Sequence, residues 1–227
     1  MKKITIINTL LKIQVLLFCI VFFSSCEKNN VDEDGSSKLK VVNASPKASA
    51  LSFTLAGTVL VNGGLNFTDA SPYITTNSGS RLVAQFFNEG TTTLIQDGEI
   101  WLFRDLSYTV YLAGDVNSLR VKLFQDNLSS PDNGKARVNF IHLSDDAPSN
   151  INIKDGNDDN IITNLTRDTQ SSYKDIATGT LSLKVYNTTN KDHVGDFSIP
   201  DLQAGKIYTV YFVSIPGTTT AHVVVHN

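Results

Sequence analysis

The chain has 227 residues, with 19 basic and 22 acidic side chains, a formal net charge of −3 and only two cysteines. No basic cluster alternates with aromatic residues, which argues against nucleic acid as a partner. Only four of the acidic residues are Glu. Because Asp favours turns and Glu favours helices, the composition favours strands joined by Asp-rich loops.

Residues 1–25 predict a secretory signal peptide. Two lysines follow the first residue, an apolar stretch runs from Ile13 to Phe23, and two serines precede Cys26. The apolar stretch is short for a membrane span. An anchor helix over Ile4–Phe23 is the alternative interpretation, and Lys12 inside such a helix would cost about 2.5–3.5 kcal/mol.

The residues FSSC (23–26) resemble the lipobox of bacterial lipoproteins. The resemblance implies cleavage before Cys26, a diacylglyceryl thioether on its sulfur and acylation of its amine, which is a palmitate-type anchor. Stable attachment to a membrane takes two or more acyl chains. Cys19 would leave with the signal peptide, so the core of the mature chain must be stable without a disulfide. Without the three lysines of the signal peptide, 16 basic residues stand against 22 acidic ones, a net charge of −6.

Residues 26–38 predict a flexible tether, because EKNNVDEDGSSK (27–38) offers almost nothing to bury. The acidic cluster at 32–34 has two interpretations. It resembles the surface-export signals of some Gram-negative lipoproteins, and it is also what a solvated spacer needs.

The sequence after the tether contains an internal repeat. The motif YTVY occurs at 108–111 and again at 208–211, and the same offset relates Tyr73 to Tyr173 and Leu102 to Leu202. Matches that keep their order predict two copies of one domain, residues 39–128 and 136–227. Residues 129–135, SSPDNGK, contain no apolar side chain and predict the linker.

Each copy predicts strands. TLSLKVYN (180–187) alternates apolar with polar residues, and RLVAQFF (81–87) and AHVVVHN (221–227) are rich in residues that fit a pleated surface. Clusters of Gly, Asn and Asp interrupt these stretches at intervals of about eight to twelve residues. The pattern predicts an all-β protein of two tandem immunoglobulin-like β-sandwich domains. A helix-bearing α+β module is the alternative.

Both copies carry the same order of motifs. The second has IHLSDDAPSNINI (141–153), SSYKDIATGTLSLKV (171–185) and LQAGKIYTVYFV (202–213), and the first has VNASPKASALSF (42–53), ASPYITTNSGSRL (70–82) and LSYTVYLAG (106–114). This order resembles the bacterial family known as domain of unknown function 4397, often found in tandem in exported lipoproteins. The resemblance implies a sandwich domain at the cell envelope and implies no reaction. In the first copy Asn43 stands in for the histidine of the motif and Ser49 for the proline.

The mature chain contains none of the short motifs of hydrolases, zinc proteases or nucleotide-binding enzymes, so catalysis is not expected. His222 and His226 share one face of the last predicted strand, about 13 Å apart, too far to bind one metal ion. They are expected to be polar residues at a sheet edge. His142 is expected to point towards the core and to hydrogen-bond the loop that follows it.

DGNDDN (155–160) has two interpretations. Asp155, Asn157 and Asp159 alternate as in the first half of an EF-hand loop, but position six is Asn160 instead of Gly and position twelve is Thr166 instead of Glu. A plain hairpin connection also explains the stretch. No cofactor is predicted, and calcium at these Asp residues stays an open question.

Candidate binding sites are few. Trp101 lies between two apolar residues that are expected to face the core, so its side chain points to the other side of the sheet. There it could stack on a sugar ring, and packing against a neighbouring sheet or domain is the favoured interpretation. Two equivalent loops, 43–49 and 144–150, are expected at the same end of each sandwich. The candidate binding residues in them are Ser45, Pro46, Lys47, Asp145, Asp146 and Pro148.

Together these features predict a lipid-anchored protein of the bacterial outer membrane, facing the periplasm or the cell surface. Its expected role is a non-catalytic binding, adhesion or structural module, with a glycan or a protein as partner. The alternative is an envelope hydrolase that uses loop carboxylates. A glycoside hydrolase would need two of them about 5–9.5 Å apart.

Overall fold

A computed structural model describes residues 35–115 and 117–227 of the chain. The predicted signal peptide, the anchor at Cys26 and most of the predicted tether lie outside these residues. The described part contains sixteen strands: β1 (Ser36–Ala44), β2 (Leu51–Leu55), β3 (Thr58–Leu65), β4 (Ile74–Asn77), β5 (Gly79–Asn88), β6 (Leu94–Leu102), β7 (Ser107–Ala113), β8 (Arg120–Asp126), β9 (Lys135–His142), β10 (Asn150–Asp155), β11 (Asn160–Thr166), β12 (Lys174–Ala177), β13 (Gly179–Asn187), β14 (His193–Leu202), β15 (Ile207–Ile215) and β16 (Thr218–Val225).

The strands form four sheets of four strands each. Strands β1–β8 form a first sandwich, with an inner sheet in the order β4-β1-β7-β8 and an outer sheet in the order β3-β2-β5-β6. Strands β9–β16 repeat this arrangement, with an inner sheet β12-β9-β15-β16 and an outer sheet β11-β10-β13-β14. The all-β prediction is therefore confirmed, and the α+β alternative is wrong for the described residues, which contain no helix. The described part of the chain therefore has no helix that could cross a membrane.

Each sandwich has its own hydrophobic core, built by alternation along its strands. In β13, Leu181, Leu183 and Val185 are buried, while the residues between them face outwards. Burial of one such branched apolar side chain contributes about 1.5–3 kcal/mol. In the first sandwich Phe53 and Phe86 are fully buried, with ring centroids 4.8 Å apart. These contacts hold the inner and outer sheets of each copy together.

The first strand begins earlier than the sequence suggests. Strand β1 starts at Ser36, inside the segment predicted as tether, and pairs with β4 on one side and with β7 on the other. The pairing with β7 is parallel, as is the equivalent pairing of β9 with β15. Ser37 is buried, and its hydroxyl donates to the Phe103 carbonyl at 2.8 Å. Residues 36–38 are polar and bury no apolar side chain in the core. They belong to the sheet because their backbone groups form hydrogen bonds with the strands on either side.

The repeated YTVY motif lies in the central strands β7 and β15, which are buried on both faces. Tyr108 and Val110 pack in the core of the first sandwich, whereas Thr109 and Tyr111 are buried on the opposite face of the inner sheet. Buried central strands of this kind have nearly continuous apolar sequences, as parallel sheets covered on both faces do. The motif repeats because both of its faces have to pack.

The opposite faces of the two inner sheets pack against each other and form a third hydrophobic core. This core contains Val42, Ala44, Tyr111, Ala113 and Phe124 from the first sandwich, and Ile141, Leu143, Tyr211, Val213 and Val224 from the second. The rings of Tyr111 and Tyr211 lie with centroids 5.6 Å apart. Because equivalent residues of the two copies meet, the sandwiches pack like the subunits of an isologous dimer, in which one surface patch contacts its own copy.

Candidate functional site

The loop after β9 is held by His142, as the sequence predicts. The Nδ1 atom of His142 accepts the Ser144 N–H at 3.3 Å, and its Nε2 atom lies 2.8 Å from the Pro148 carbonyl. Since Nδ1 accepts, the ring is neutral and its Nε2–H donates to Pro148. Burial is the main reason that the pKa of His142 is below its ordinary value. The histidine is a fully buried loop anchor.

In the first copy Asn43 performs the same task. Its Oδ1 accepts the Ser45 N–H at 3.1 Å, and its Nδ2 donates to the Leu65 carbonyl at 3.0 Å and to the Ser49 carbonyl at 3.5 Å. An amide carries an acceptor and a donor at nearly the same spacing as the two nitrogens of a neutral imidazole. The replacement of histidine by asparagine between the copies therefore preserves the hydrogen bonds of the loop.

The candidate residues of the second loop are mostly engaged in structure. The carboxylate of Asp145 accepts the Ser118 hydroxyl at 2.8 Å and Arg120 Nη1 at 3.0 Å, both from the first sandwich. The Asp146 N–H donates to Ser214 Oγ at 2.7 Å, while the Asp146 side chain is exposed. Pro148 is half-buried and presents its carbonyl to the histidine ring. Of the three candidates, only Asp146 offers an open carboxylate.

The candidate residues of the first loop also differ in their exposure to solvent. Ser45 is buried, and its hydroxyl has no hydrogen-bond partner among the residues that the structure describes. Pro46 is half-buried and Lys47 is exposed. Ala44 pairs in parallel with Ala113, so the loop after β1 begins beside the β7–β8 turn. The pKa of the Asp115 carboxylate in that turn is lowered, mainly by the backbone N–H of Asn117 and the Ser118 hydroxyl and to a smaller extent by the charge of Lys47.

Both loops meet at one end of the molecule. The Ser118 hydroxyl lies 3.1 Å from Asp115 Oδ1 and 2.8 Å from Asp145 Oδ2, and so joins the turn of the first sandwich to the loop of the second. We call the surface formed by residues 45–49, Asp115, Ser118 and residues 143–149 the loop end. Sequence reasoning predicted the two loops at equivalent ends of separate domains, and the packing of the inner sheets brings them to one surface.

Arg120 is the central charge beside the loop end. Its Nη1 contacts Asp145, its Nε donates to Asp168 Oδ1 at 2.8 Å, and its Nη2 donates to the Leu143 carbonyl at 3.1 Å. Lys122 adds a second cation, 3.1 Å from Asp168 Oδ2. Although burial opposes it, the net effect of these partners is to lower the pKa of Asp168. The two carboxylates are thus held as ion-pair partners of one guanidinium.

A buried polar network crosses the interface near the opposite end of the same strands. The Tyr73 hydroxyl lies 2.7 Å from Asp126 Oδ2 and 2.7 Å from His226 Nδ1. Thr109 Oγ1 donates to Asp126 at 2.7 Å, and Thr209 Oγ1 lies 2.8 Å from His226 Nε2. His226 follows the edge strand β16, as the prediction of an edge position requires, but it is buried, because the first sandwich covers the face of the sheet on which it lies.

His222 and Lys40 also lie at this interface. His222 is half-buried, with its ring 5.3 Å from that of Phe67 and 5.6 Å from that of Tyr211. Lys40 donates to the Ser71 carbonyl at 2.9 Å and lies 4.7 Å from the centre of the Tyr73 ring. Sequence reasoning missed the whole network, although the coincidence of Tyr73 with Tyr173 and of Thr109 with Thr209 in the repeat marked its positions.

Trp101 lies on the solvent side of the outer sheet of the first sandwich. Its neighbours Ile100 and Leu102 are buried in the core, whereas 45% of the Trp101 surface is exposed. The favoured interpretation, packing against a neighbouring sheet or domain, is therefore wrong. The other sandwich is stacked on the inner sheet, which leaves the outer sheet open.

A surface depression recurs in both copies and so belongs to the fold. A depression of about 490 Å³ lies between β3 and the segment leading to β4, and one of about 300 Å³ lies at the equivalent place in the second sandwich. DGNDDN forms the turn of the β10–β11 hairpin, where Asp155 Oδ1 accepts the N–H groups of Asn157 and Asp159. No group of three or more metal-ligating side chains occurs within residues 35–115 and 117–227.

Comparison with solved structures gives distant likenesses. The C-terminal domain of AlgF from P. aeruginosa is 18% identical, with 40% of this chain and 98% of that chain covered and a TM-score of 0.32. A candidate cell adhesion protein from Bacteroides uniformis is 10% identical, with 86% and 99% covered and a TM-score of 0.27. The CBM26-family module of Eubacterium rectale Amy13K, solved with maltoheptaose, is 11% identical, with 82% and 96% covered and a TM-score of 0.26. These scores are too low to support a functional inference.

No curated protein has significant sequence similarity to the chain. A family model does match, over residues 37–154, which is just over half of the chain and runs from β1 through β10. The match begins in the first sandwich, crosses the linker and ends after the loop that His142 anchors. The chain therefore belongs to the family described as domain of unknown function DUF4397.

Proposed function

We propose that this protein is a lipid-anchored, non-catalytic binding module of the bacterial outer membrane. Acylated Cys26 would hold it to the membrane, and the residues between Cys26 and the start of β1 at Ser36 would act as the tether. The paired sandwiches would bind a glycan or a protein at the cell surface, in adhesion or in presenting a partner.

The observation that supports this function best is the third hydrophobic core between the inner sheets. It joins the two sandwiches through a buried apolar interface, as in an obligate dimer. Surfaces on such a body are pre-organised, so binding loses little free energy to the ordering of domains. The loop end and the two outer sheets are then the surfaces available to a partner.

The loop carboxylates favour binding over hydrolysis. A general acid needs a carboxyl group that holds its proton near neutral pH. Asp145 and Asp168 instead share the guanidinium of Arg120, and the pKa of Asp168 is lowered. Carboxylates that are paired with the cations of Arg120 and Lys122 stabilise an interface and are poorly suited to proton transfer.

The anchor is tested in whole cells that produce the full chain. Cys26→Ala should abolish incorporation of an alkyne-labelled palmitate and release the protein from the membrane fraction. Cys19→Ala is the matched control, because it removes the other cysteine and should leave both readouts unchanged. Membrane attachment that survives Cys26→Ala would contradict the lipoprotein assignment and support the anchor helix over Ile4–Phe23.

Exposure and binding need a second pair of measurements. Added protease should digest the protein in intact cells if it faces outwards. Fluorescently labelled protein added to cells that lack the gene should bind with saturation and be displaced by unlabelled protein. Binding that rises linearly with concentration and resists displacement would contradict a binding function.

A further inference from the structure

The outer sheet of the first sandwich carries a compact group of exposed side chains around the chain's only tryptophan. Trp101 is 45% exposed and Val83 is 38% exposed. Val83 pairs with Glu99 across β5 and β6, so both point to the same side of the sheet as Trp101. We call Arg81, Val83, Glu99 and Trp101 the tryptophan face.

A β-bulge shapes this face. Gly79 pairs with Leu102, and the next pair is Leu82 with Ile100, so Ser80 and Arg81 both stand opposite Trp101. Arg81 has a φ of 52°, an uncommon conformation for a residue with a side chain. Bulges occur often beside binding sites, where they redirect a side chain.

The bulge brings Arg81 onto Glu99. Its Nε lies 3.0 Å from Glu99 Oε2 and its Nη2 lies 3.0 Å from Glu99 Oε1, a bidentate pair. An exposed pair of this kind contributes little to stability. It does fix a planar array of hydrogen-bond donors and acceptors next to an exposed indole ring.

The second sandwich lacks this arrangement, although its fold is the same. There Gly179 pairs with Leu202, the next pair is Leu181 with Ile199, and the extra residue lies on β14 instead. Asp201 occupies the position equivalent to Trp101. The exposed indole is therefore no requirement of the sandwich.

We infer that the tryptophan face is a binding site for a neutral glycan, with Trp101 stacked on the apolar face of a sugar ring. The inference rests on the proposed binding function and names its ligand class. An indole presents a large rigid apolar surface with a polar edge, and the adjacent guanidinium and carboxylate suit ring hydroxyls. Asp97, on the same side of β6, makes the local charge −1 with Arg81 and Glu99, which disfavours phosphate-rich or sulfated polymers.

The single tryptophan makes the test specific to this site. The full chain, purified in a detergent without a sugar headgroup, is titrated with amylopectin, mixed-linkage β-glucan, xylan and galactomannan, and with heparin as an anionic control. We expect at least one neutral polymer to shift the tryptophan emission to shorter wavelength and to protect it from acrylamide quenching. An effect of heparin alone, or of none of the polymers, would overturn the inference.

Variants then separate this site from the proposed function as a whole. In affinity electrophoresis through the same polymers, Trp101→Ala should weaken binding about tenfold or more, since a stacked aromatic contributes at least ~1.4 kcal/mol. Trp101→Phe should retain part of the affinity. Val225→Ala removes an exposed apolar side chain from the second sandwich and should leave affinity unchanged.

Two results would overturn the inference while leaving a binding function in place. One is saturable binding of the protein to cells that Trp101→Ala does not weaken. The other is glycan binding that proceeds without any change in tryptophan emission. If the protein fails to bind cells at all, the proposed function falls, whereas a retained emission shift with purified polymer would still support the site.

Discussion

Asp126 Oδ1 and His226 Nδ1 lie 3.9 Å apart in the interface between the two sandwiches, and the Tyr73 hydroxyl bridges them. The two residues occupy equivalent positions at the ends of β8 and β16, one hundred residues apart. One copy thus contributes a potential anion and the other a potential cation to the same buried network. The interface is approximately symmetric, but at this position in the polar network the two copies carry different residues.

Burial disfavours both charges. It raises the pKa of Asp126 to about 6 and, with a smaller contribution from Lys40, lowers the pKa of His226 to about 4. Near pH 5 the pair is therefore neutral in spite of its ion-pair distance. The other titratable groups nearby include Lys40, whose pKa is lowered by burial, and Tyr73, Tyr111 and Tyr173, whose pKa values burial raises, so the three tyrosines stay neutral as well.

The two shifts make opposite contributions to stability. For Asp126 the folded-state pKa is raised, so its contribution falls as the pH rises from about 4 to about 6. For His226 the folded-state pKa is lowered, so its contribution is lost as the pH falls from about 6.5 to about 4. Each shift corresponds to about 3 kcal/mol, so the two nearly cancel in the intact protein.

We expect substitution of one residue of the pair to expose the pH dependence of the free energy of unfolding that the other contributes. Asp126→Asn should give a free energy of unfolding that rises between pH 4 and 6.5, and His226→Gln should give one that falls between pH 4 and 6. Urea unfolding at half-unit pH intervals measures both as differences from the intact protein, since other titrating groups such as His142 and Asp168 contribute equally to all three proteins. Parallel pH profiles for all three proteins would show that the pair does not titrate as argued.

Tyr73 and Tyr211 allow a matched comparison, because Tyr→Phe at either position removes one buried hydroxyl. Tyr73→Phe removes the bridge between Asp126 and His226 and should destabilise the protein by about 1–3 kcal/mol, because two buried groups lose a partner. The Tyr211 hydroxyl is buried without a hydrogen bond to any residue that the structure describes. Tyr211→Phe should therefore be neutral or slightly stabilising. Equal losses of the free energy of unfolding in the two variants would contradict the network.

The loop anchor predicts which replacement of His142 is tolerated. His142→Asn reproduces the residue that the first copy uses at this place and should cost less than about 1 kcal/mol. His142→Ala leaves the Ser144 N–H and the Pro148 carbonyl without their partner and creates a cavity, for an expected loss of about 2–4 kcal/mol. Urea midpoints of the two variants test the order. An asparagine variant as unstable as the alanine variant would mean that ring volume matters more than the hydrogen bonds.

Arg120 should be more sensitive to substitution than Arg81. Its side chain is 19% exposed and contacts two carboxylates, whereas the Arg81 side chain is 71% exposed and contacts one. Arg120→Met leaves Asp145 without its guanidinium partner and leaves Asp168 with Lys122 alone, which should cost about 2–4 kcal/mol at pH 7. The loss should shrink in acid, because the pKa of Asp168 is lowered and the stability that its ion pairs contribute is lost as the pH falls through that pKa. Arg81→Met is the control and should leave the urea midpoint unchanged; a comparable fall in both variants would contradict the role of Arg120.

The candidate site shows where sequence reasoning stops. His142 could be identified as a loop anchor because its position in the alternating pattern of β9 pointed it inwards at a strand end. The loop residues around it could not be sorted, since backbone contacts with Ser214 and ion pairs with Arg120 join segments far apart in the chain. Of the six candidate binding residues in the two loops, only Lys47 and Asp146 are exposed.

The sequence by itself determined the all-β class and the repeat, because period-two alternation and turn residues act between near neighbours. It also marked YTVY as important, although one strand cannot reveal what covers its second face. Only the tertiary structure decided that the inner sheets pack together, that His226 is buried and that Trp101 is exposed. The reason is physical: burial of the second face of a sheet depends on which other sheet lies against it, and that choice is made by shape and polar complementarity across two domains.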